Sequence, residues 1–157
     1  MQSAEPLKLV KYPLVALLLL AGAAVAATVS DEAPPKPEPV LPESLQWVSP
    51  PGLPGLEAAW VLGSAQAPDA YILRVRLTAG ARIPPHTHPD SRHTTVLTGT
   101  LYVGFGEASD DARLVAVPQG GIYLAPANLP HYLWARDGDV VYQESGVGPT
   151  GNQFIPN

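Results

Sequence analysis

Gly80-Ala-Arg-Ile-Pro-Pro-His86-Thr-His88-Pro-Asp-Ser-Arg92-His93-Thr-Thr-Val-Leu-Thr-Gly99 is the stretch from which the rest of the chain can be read. It follows Ala70–Thr78, where Leu73, Val75 and Leu77 alternate with Arg74 and Arg76, the period of two that marks a half-buried strand. His86 and His88 come straight after Ile83-Pro84-Pro85. In extended backbone, residues i and i+2 project to the same side, so the two imidazoles point together, as a shared metal ion requires. An isolated His-x-His pair is more often a pair of surface histidines, and the surrounding sequence has to decide.

Outward from this stretch the signals are those of short strands. Ala59–Leu62, His93–Thr98, Leu101–Phe105, Arg113–Val117, Ile122–Ala125, Tyr132–Ala135 and Val140–Glu144 are rich in β-branched and aromatic residues. Gly, Pro, Asn or Asp separates most neighbouring pairs. No window of a dozen residues shows a capped helical period, and no internal repeat is visible. This spacing predicts an all-β antiparallel sandwich or barrel. All four histidines lie between positions 86 and 131, the last of them in Gly120-Gly-Ile-Tyr-Leu-Ala-Pro126-Ala-Asn128-Leu-Pro-His131-Tyr-Leu-Trp-Ala135.

The first segment resembles the first cupin motif: Gly, five residues, His-x-His, three or four residues, Glu, six residues, Gly. Gly80, His86, His88 and Gly99 match it. The second segment resembles the second cupin motif through Gly120, Pro126 and His131, with Asn128 where Gly is usual and Ala135 where Asn is usual. Asn, like Gly, tolerates a left-handed backbone. The 20 residues between the motifs, Thr100 to Gln119, suit the inter-motif hairpin. The resemblance runs from about Trp47 to the C-terminus and implies a single-domain antiparallel jelly-roll β-barrel.

It further implies that His86, His88 and His131 converge on one divalent metal. The family's fourth ligand, a Glu, is missing, and Arg92 stands in its slot. A guanidinium keeps its proton and cannot ligate a cation. Three arrangements follow. Three neutral imidazoles hold the metal and leave positions open, with Arg92 facing the open side to hold an anionic group of a substrate. Alternatively His93 completes a four-His site, which needs the strand start to slip by one residue. In the third arrangement the site is metal-free and the histidines are polar lining. An imidazole site suits Zn²⁺, Cu²⁺ or Fe²⁺ better than Mn²⁺. Among nearby residues, Tyr102, Tyr123 and Gln143 sit on strands that could line the barrel, Tyr132 alternates with His131, and Glu144 reads as part of a solvated face.

Residues 1–27 read as an export signal: Lys8 and Lys11 precede the uncharged run Leu14–Ala26, which ends in the small-x-small Ala24-Val25-Ala26. An uncleaved anchor is the alternative, and only then would the chain meet a membrane. Residues 28–44 read as a Pro-rich tether, with five prolines and five charges between Asp31 and Glu43. The domain is expected over 45–157, in the periplasm or secreted. The chain has no Cys, which excludes thiol catalysis, disulfides and iron–sulfur clusters. The net charge of −5 gives no electrostatic footprint for nucleic acid. The expected function is a metal-dependent, dioxygenase-like enzyme acting on a small organic molecule, or a non-catalytic ligand- or metal-binding module of the cell envelope. A small-molecule ligand is the expected partner, and a homodimer is what the resemblance adds.

Overall fold

The computed structural model describes residues 38–156; the leader and most of the tether lie outside the described residues. Among the described residues, the 3₁₀ turn Pro42–Ser44 precedes Leu45, the first of them to be buried. Ten strands follow: β1 Leu56–Leu62, β2 Ala70–Leu77, β3 Arg82–Thr87, β4 Arg92–Thr98, β5 Thr100–Phe105, β6 Val115–Pro118, β7 Ile122–Ala125, β8 His131–Trp134, β9 Val140–Val147 and β10 Gln153–Phe154. They form two five-stranded sheets, ordered β1-β2-β9-β4-β7 and β10-β3-β8-β5-β6, with antiparallel pairing throughout. This is the expected all-β jelly roll.

Parity along each strand decides what enters the space between the sheets. On β4, Arg92, Thr94 and Val96 are buried, while His93 is exposed. On β2 the inward set is Tyr71, Val75 and Leu77, and on β9 it is Val140, Tyr142 and Glu144. Val96, Leu77, Val140 and Tyr142 from one sheet meet Leu101, Val103, Ile83 and Leu133 from the other in one apolar cluster. The residues that remain inward but polar, namely His86, His88, His131, Arg92, Thr94 and Glu144, are buried as well.

All eight strands expected from the pattern are present, most with extended ends. The one misplaced start is Arg113–Val117: Asp111–Arg113 is a 3₁₀ turn, capped by the Asp110 side chain on the Ala112 N–H, and β6 begins at Val115. Two strands had no signature. β3 contains Pro84 and Pro85, which lack the N–H a ladder needs. It pairs with β8 through Arg82 and Ile83, skips the prolines, and resumes at His86 opposite His131. β10 is two residues long and is a strand only because β3 offers it an edge.

One close approach fixes the β5–β8 packing. Gly104 leaves room for the Tyr132 ring, whose hydroxyl donates to the Asp110 carbonyl (2.9 Å) and accepts from its N–H (3.0 Å). A Cβ at position 104 would overlap that ring. Gly104→Ala is therefore expected to lower stability by about 1–3 kcal/mol, seen as a lower urea midpoint at unchanged slope.

Candidate metal centre

Two strand ends build the centre, the close of β3 and the start of β8. His86 is the last residue but one of β3 and His131 opens β8, and the two are direct cross-strand partners. His88 lies two residues beyond His86, on the same side. Its backbone carbonyl accepts a 2.7 Å bond from the N–H of Asn128, which takes a left-handed φ of 59°. The residue that departs from the family's Gly thus keeps the backbone shape that Gly would supply.

The imidazoles are 2%, 1% and 1% exposed for His86, His88 and His131, with ring centroids 4.3–5.0 Å apart. One ring nitrogen from each lies within 4.8 Å of the others. Each Nδ1 has a backbone carbonyl to donate to: Pro84 at 2.8 Å, Gly151 at 2.9 Å and Leu129 at 3.2 Å. Such bonds select the tautomer whose Nε2 carries the free lone pair. The buried Nε2 atoms of His88 and His131 have no hydrogen-bond partner. Burial lowers all three basicities, taking His86 from 6.5 to about 4 and His88 to about 2, with the Arg92 charge adding to the effect. Three neutral imidazoles with fixed tautomers and unpartnered inward lone pairs form a donor set that fits an imidazole-binding divalent metal.

The remaining site expectations divide. His93 is exposed on the outer face of β4, between Leu124 of β7 and Ser145 of β9, and is not in the cluster. The strand does not slip, because slipping would turn Thr94 and Val96 outward and take Val96 out of the apolar cluster. The four-His arrangement is corrected accordingly. Arg92 does face inward, but its guanidinium is engaged by the protein. Nη1 donates to Glu144 (2.8 Å), and Nη2 donates to Thr150 Oγ1 (2.6 Å) and the Gly151 carbonyl (3.2 Å). Nε lies 3.7 Å from Asp90. The expected role of holding a substrate anion therefore meets a charge already compensated.

Glu144, expected on a solvated face, is 4% exposed and is the counter-ion. Burial pushes its carboxyl up from the ordinary value, and the guanidinium works against that shift. Asp90 extends the network, accepting from Tyr71 and from Thr150, each at 2.5 Å. A signal for Glu144 was available: it shares strand parity with Val140 and Tyr142. Asp90, Thr150 and Gly151 lie in loops, where parity says nothing. Tyr123 sits near the cluster, its ring centroid 6.4 Å from that of His131 and its buried hydroxyl unpartnered. Gln143 bonds Arg74, and Tyr102 is held by Asp137 and Arg136, so neither lines the site.

His86, His88, Arg92 and Glu144 lie on the wall of a cavity of about 300 Å³. Leu53, Leu56, Trp60, Leu73, Val75 and Phe154 supply much of the rest of its lining. That combination of a mostly apolar cavity with a few convergent polar groups is the usual form of a small-molecule site.

A jelly roll with a three-histidine cluster inside it defines a class of β-barrel protein with one imidazole-lined site. The Cupin family matches residues 67–157, more than half of the chain, and the protein belongs to that family. Germin-like protein 5-1 of Oryza sativa subsp. japonica is 36% identical over 84 residues, which are 52% of this chain and 33% of that protein. Germin-like protein 8-2 of the same plant is 44% identical over 52 residues, 31% of this chain and 24% of that one. The chain thus spans a third or less of these relatives. Among solved structures, the polyketide cyclase RemF from Streptomyces resistomycificus superposes with a TM-score of 0.62 at 17% identity, over 78% of this chain and 89% of that one. A salicylate 1,2-dioxygenase from Pseudaminobacter salicylatoxidans gives 0.55 at 16% identity, over 66% and 31%. These likenesses are of fold.

Proposed function

We propose that this is an exported cupin that binds one divalent transition metal through His86, His88 and His131 and acts as a metal-dependent, dioxygenase-like enzyme on a small organic molecule. The observation that carries the reading is the set of three buried imidazoles whose Nδ1 atoms are tied to carbonyls and whose Nε2 atoms turn inward. Bound there, Zn²⁺, Cu²⁺ or Fe²⁺ would supply a Lewis-acid or redox centre with positions left open by the missing fourth protein ligand. The apolar wall of Leu53, Leu56, Trp60 and Phe154 would desolvate and orient the organic substrate beside it. Export rests on the leader sequence, and it would place metal loading where intrinsic affinity favours Cu²⁺ or Zn²⁺.

One observation favours a second reading, a non-catalytic binding module. The carboxylate on the cavity wall, Glu144, is tied to Arg92 and is not free to move a proton. Elemental analysis of the purified chain tests the metal, and oxygen uptake with phenolic or keto compounds separates enzyme from binder. The expected result is about one metal ion per chain, lost in His88→Ala and retained in His93→Ala. A metal-free protein whose melting temperature ignores added Zn²⁺, Cu²⁺ and Fe²⁺ would sink the metalloenzyme reading and leave the ligand-binding one.

A further inference from the structure

Of the three imidazoles, His88 is held differently. His86 and His131 bond carbonyls two residues earlier in their own segments, whereas His88 Nδ1 bonds the carbonyl of Gly151, 63 residues away. Gly151 belongs to residues 148–154, which leave β9 and run along the cavity, placing Thr150, Gly151, Asn152 and Phe154 on its wall. Both flanks of this strap are fastened by backbone. Gly148 N–H bonds Asp69 (2.9 Å) and Thr150 N–H bonds Ala65 (2.8 Å). Farther on, Gln153 and Phe154 pair with Thr87 and His86, and Ile155 N–H bonds Pro85 (2.9 Å). At Thr150 and Gly151 side chains add to these backbone bonds. The Arg92 Nη2 reaches both the Thr150 hydroxyl and the Gly151 carbonyl, and Thr150 passes the connection on to Asp90. The Gly151 oxygen thus accepts from the guanidinium and from His88 together.

We propose that Arg92 is a positioning residue: neutralised by Glu144, its guanidinium fastens the strap at Thr150–Gly151 so that the Gly151 carbonyl holds His88 with Nε2 turned toward the metal site. The residue in the slot of the family's acidic ligand thereby acts on the site through a carbonyl instead of through a metal bond. The inference deepens the three-histidine reading and rests on it. It also explains why a cation is tolerated beside three metal-ligating groups, since Glu144 balances its charge at 2.8 Å.

The test uses the full chain and two variants, Arg92→Lys and Thr150→Val. Lysine keeps the charge against Glu144 but loses the planar fork that spans Glu144 and the strap. Valine removes only the hydroxyl that bridges Arg92 and Asp90. Two quantities are read: Zn²⁺ affinity by chelator competition, and the tautomer of each imidazole by nitrogen NMR of the metal-free protein. Arg92→Lys is expected to weaken Zn²⁺ by about 10–100-fold, the usual loss when a partner of a metal-ligating His is removed. Thr150→Val should give a smaller loss of the same kind. In both, His88 should lose its fixed Nδ1–H form while His86 and His131 keep theirs. Unchanged affinity and an unchanged His88 tautomer would overturn the proposal. So would a simultaneous loss at all three imidazoles, which would make Arg92 a general support of the fold. If Arg92→Lys does not fold, Thr150→Val decides by the same criteria. Should the unaltered chain bind no Zn²⁺, the metal reading falls, and the tautomer comparison still decides the strap.

Discussion

Glu144→Ala lowers the unfolding free energy by about 3–5 kcal/mol, the cost of leaving one partner of a buried ion pair without the other. The size of the effect follows from asymmetry. Arg92 is 3% exposed, and its guanidinium cannot shed its proton to escape the apolar surroundings. Removing Arg92 instead leaves a carboxyl that can take up a proton and become neutral. Arg92→Met is therefore milder than Glu144→Ala at equal pH, and its penalty shrinks as the pH falls. The double variant Arg92→Met/Glu144→Met, which removes both members of the pair, should be less damaged than Glu144→Ala alone. Urea unfolding of the four proteins measures all of this. A loss under 1 kcal/mol in Glu144→Ala would mean that water reaches the guanidinium and that the pair is not dry.

Acid destabilises the metal-free protein strongly, beginning near pH 6.5. The folded state holds His86 at about 4 and His88 at about 2, against 6.5 for an unburied imidazole. Below 6.5 the unfolded chain therefore binds protons that the folded chain refuses, and stability falls as the pH falls. The contribution from these groups is complete above the unfolded value and disappears as the pH drops through the folded values. For His86 alone the loss amounts to roughly 3 kcal/mol by pH 4, at about 1.4 kcal/mol per unit. His88 and His131 add to it in the same direction. Set against a typical domain stability of about 5–15 kcal/mol, this should unfold the metal-free protein in mild acid. A metal that binds only the folded state moves the transition to lower pH. Metal release and loss of the native tryptophan signal should then coincide, because the buried imidazoles take up protons far less readily in the intact barrel than in the unfolded chain. Release of metal near pH 6.5 from a still-folded barrel would contradict the buried, neutral state of the histidines.

The behaviour of particular residues shows how far a linear reading reaches. Alternation on β2, β4 and β9 is visible in the chain because burial between two sheets repeats every second residue. It also excludes His93 from the site once β4 is placed, since Arg92, Thr94 and Val96 take the inward parity. The same rule placed Glu144 inward with Tyr142, but an acid on a strand is ordinarily solvated, and only its partner makes it otherwise. β3 escaped because strand propensity counts two consecutive prolines against it. The fold tolerates them by interrupting its register with β8 between Ile83 and His86.

Local quantities can be read along the chain: strand parity, turn chemistry, and the spacing of His86, His88 and His131 that carries the cupin resemblance. These depend on near neighbours along the chain, and near neighbours are written in order. Partners distant in the chain meet only through the folded barrel. The barrel sets His131 opposite His86, pairs Arg92 with a carboxylate 52 residues later, and brings the Gly151 carbonyl to His88. A guanidinium in place of an acidic ligand reads alone as a hand for a substrate anion. Inside the barrel it is desolvated, and the cost of burying a charge binds it to Glu144 and the C-terminal strap.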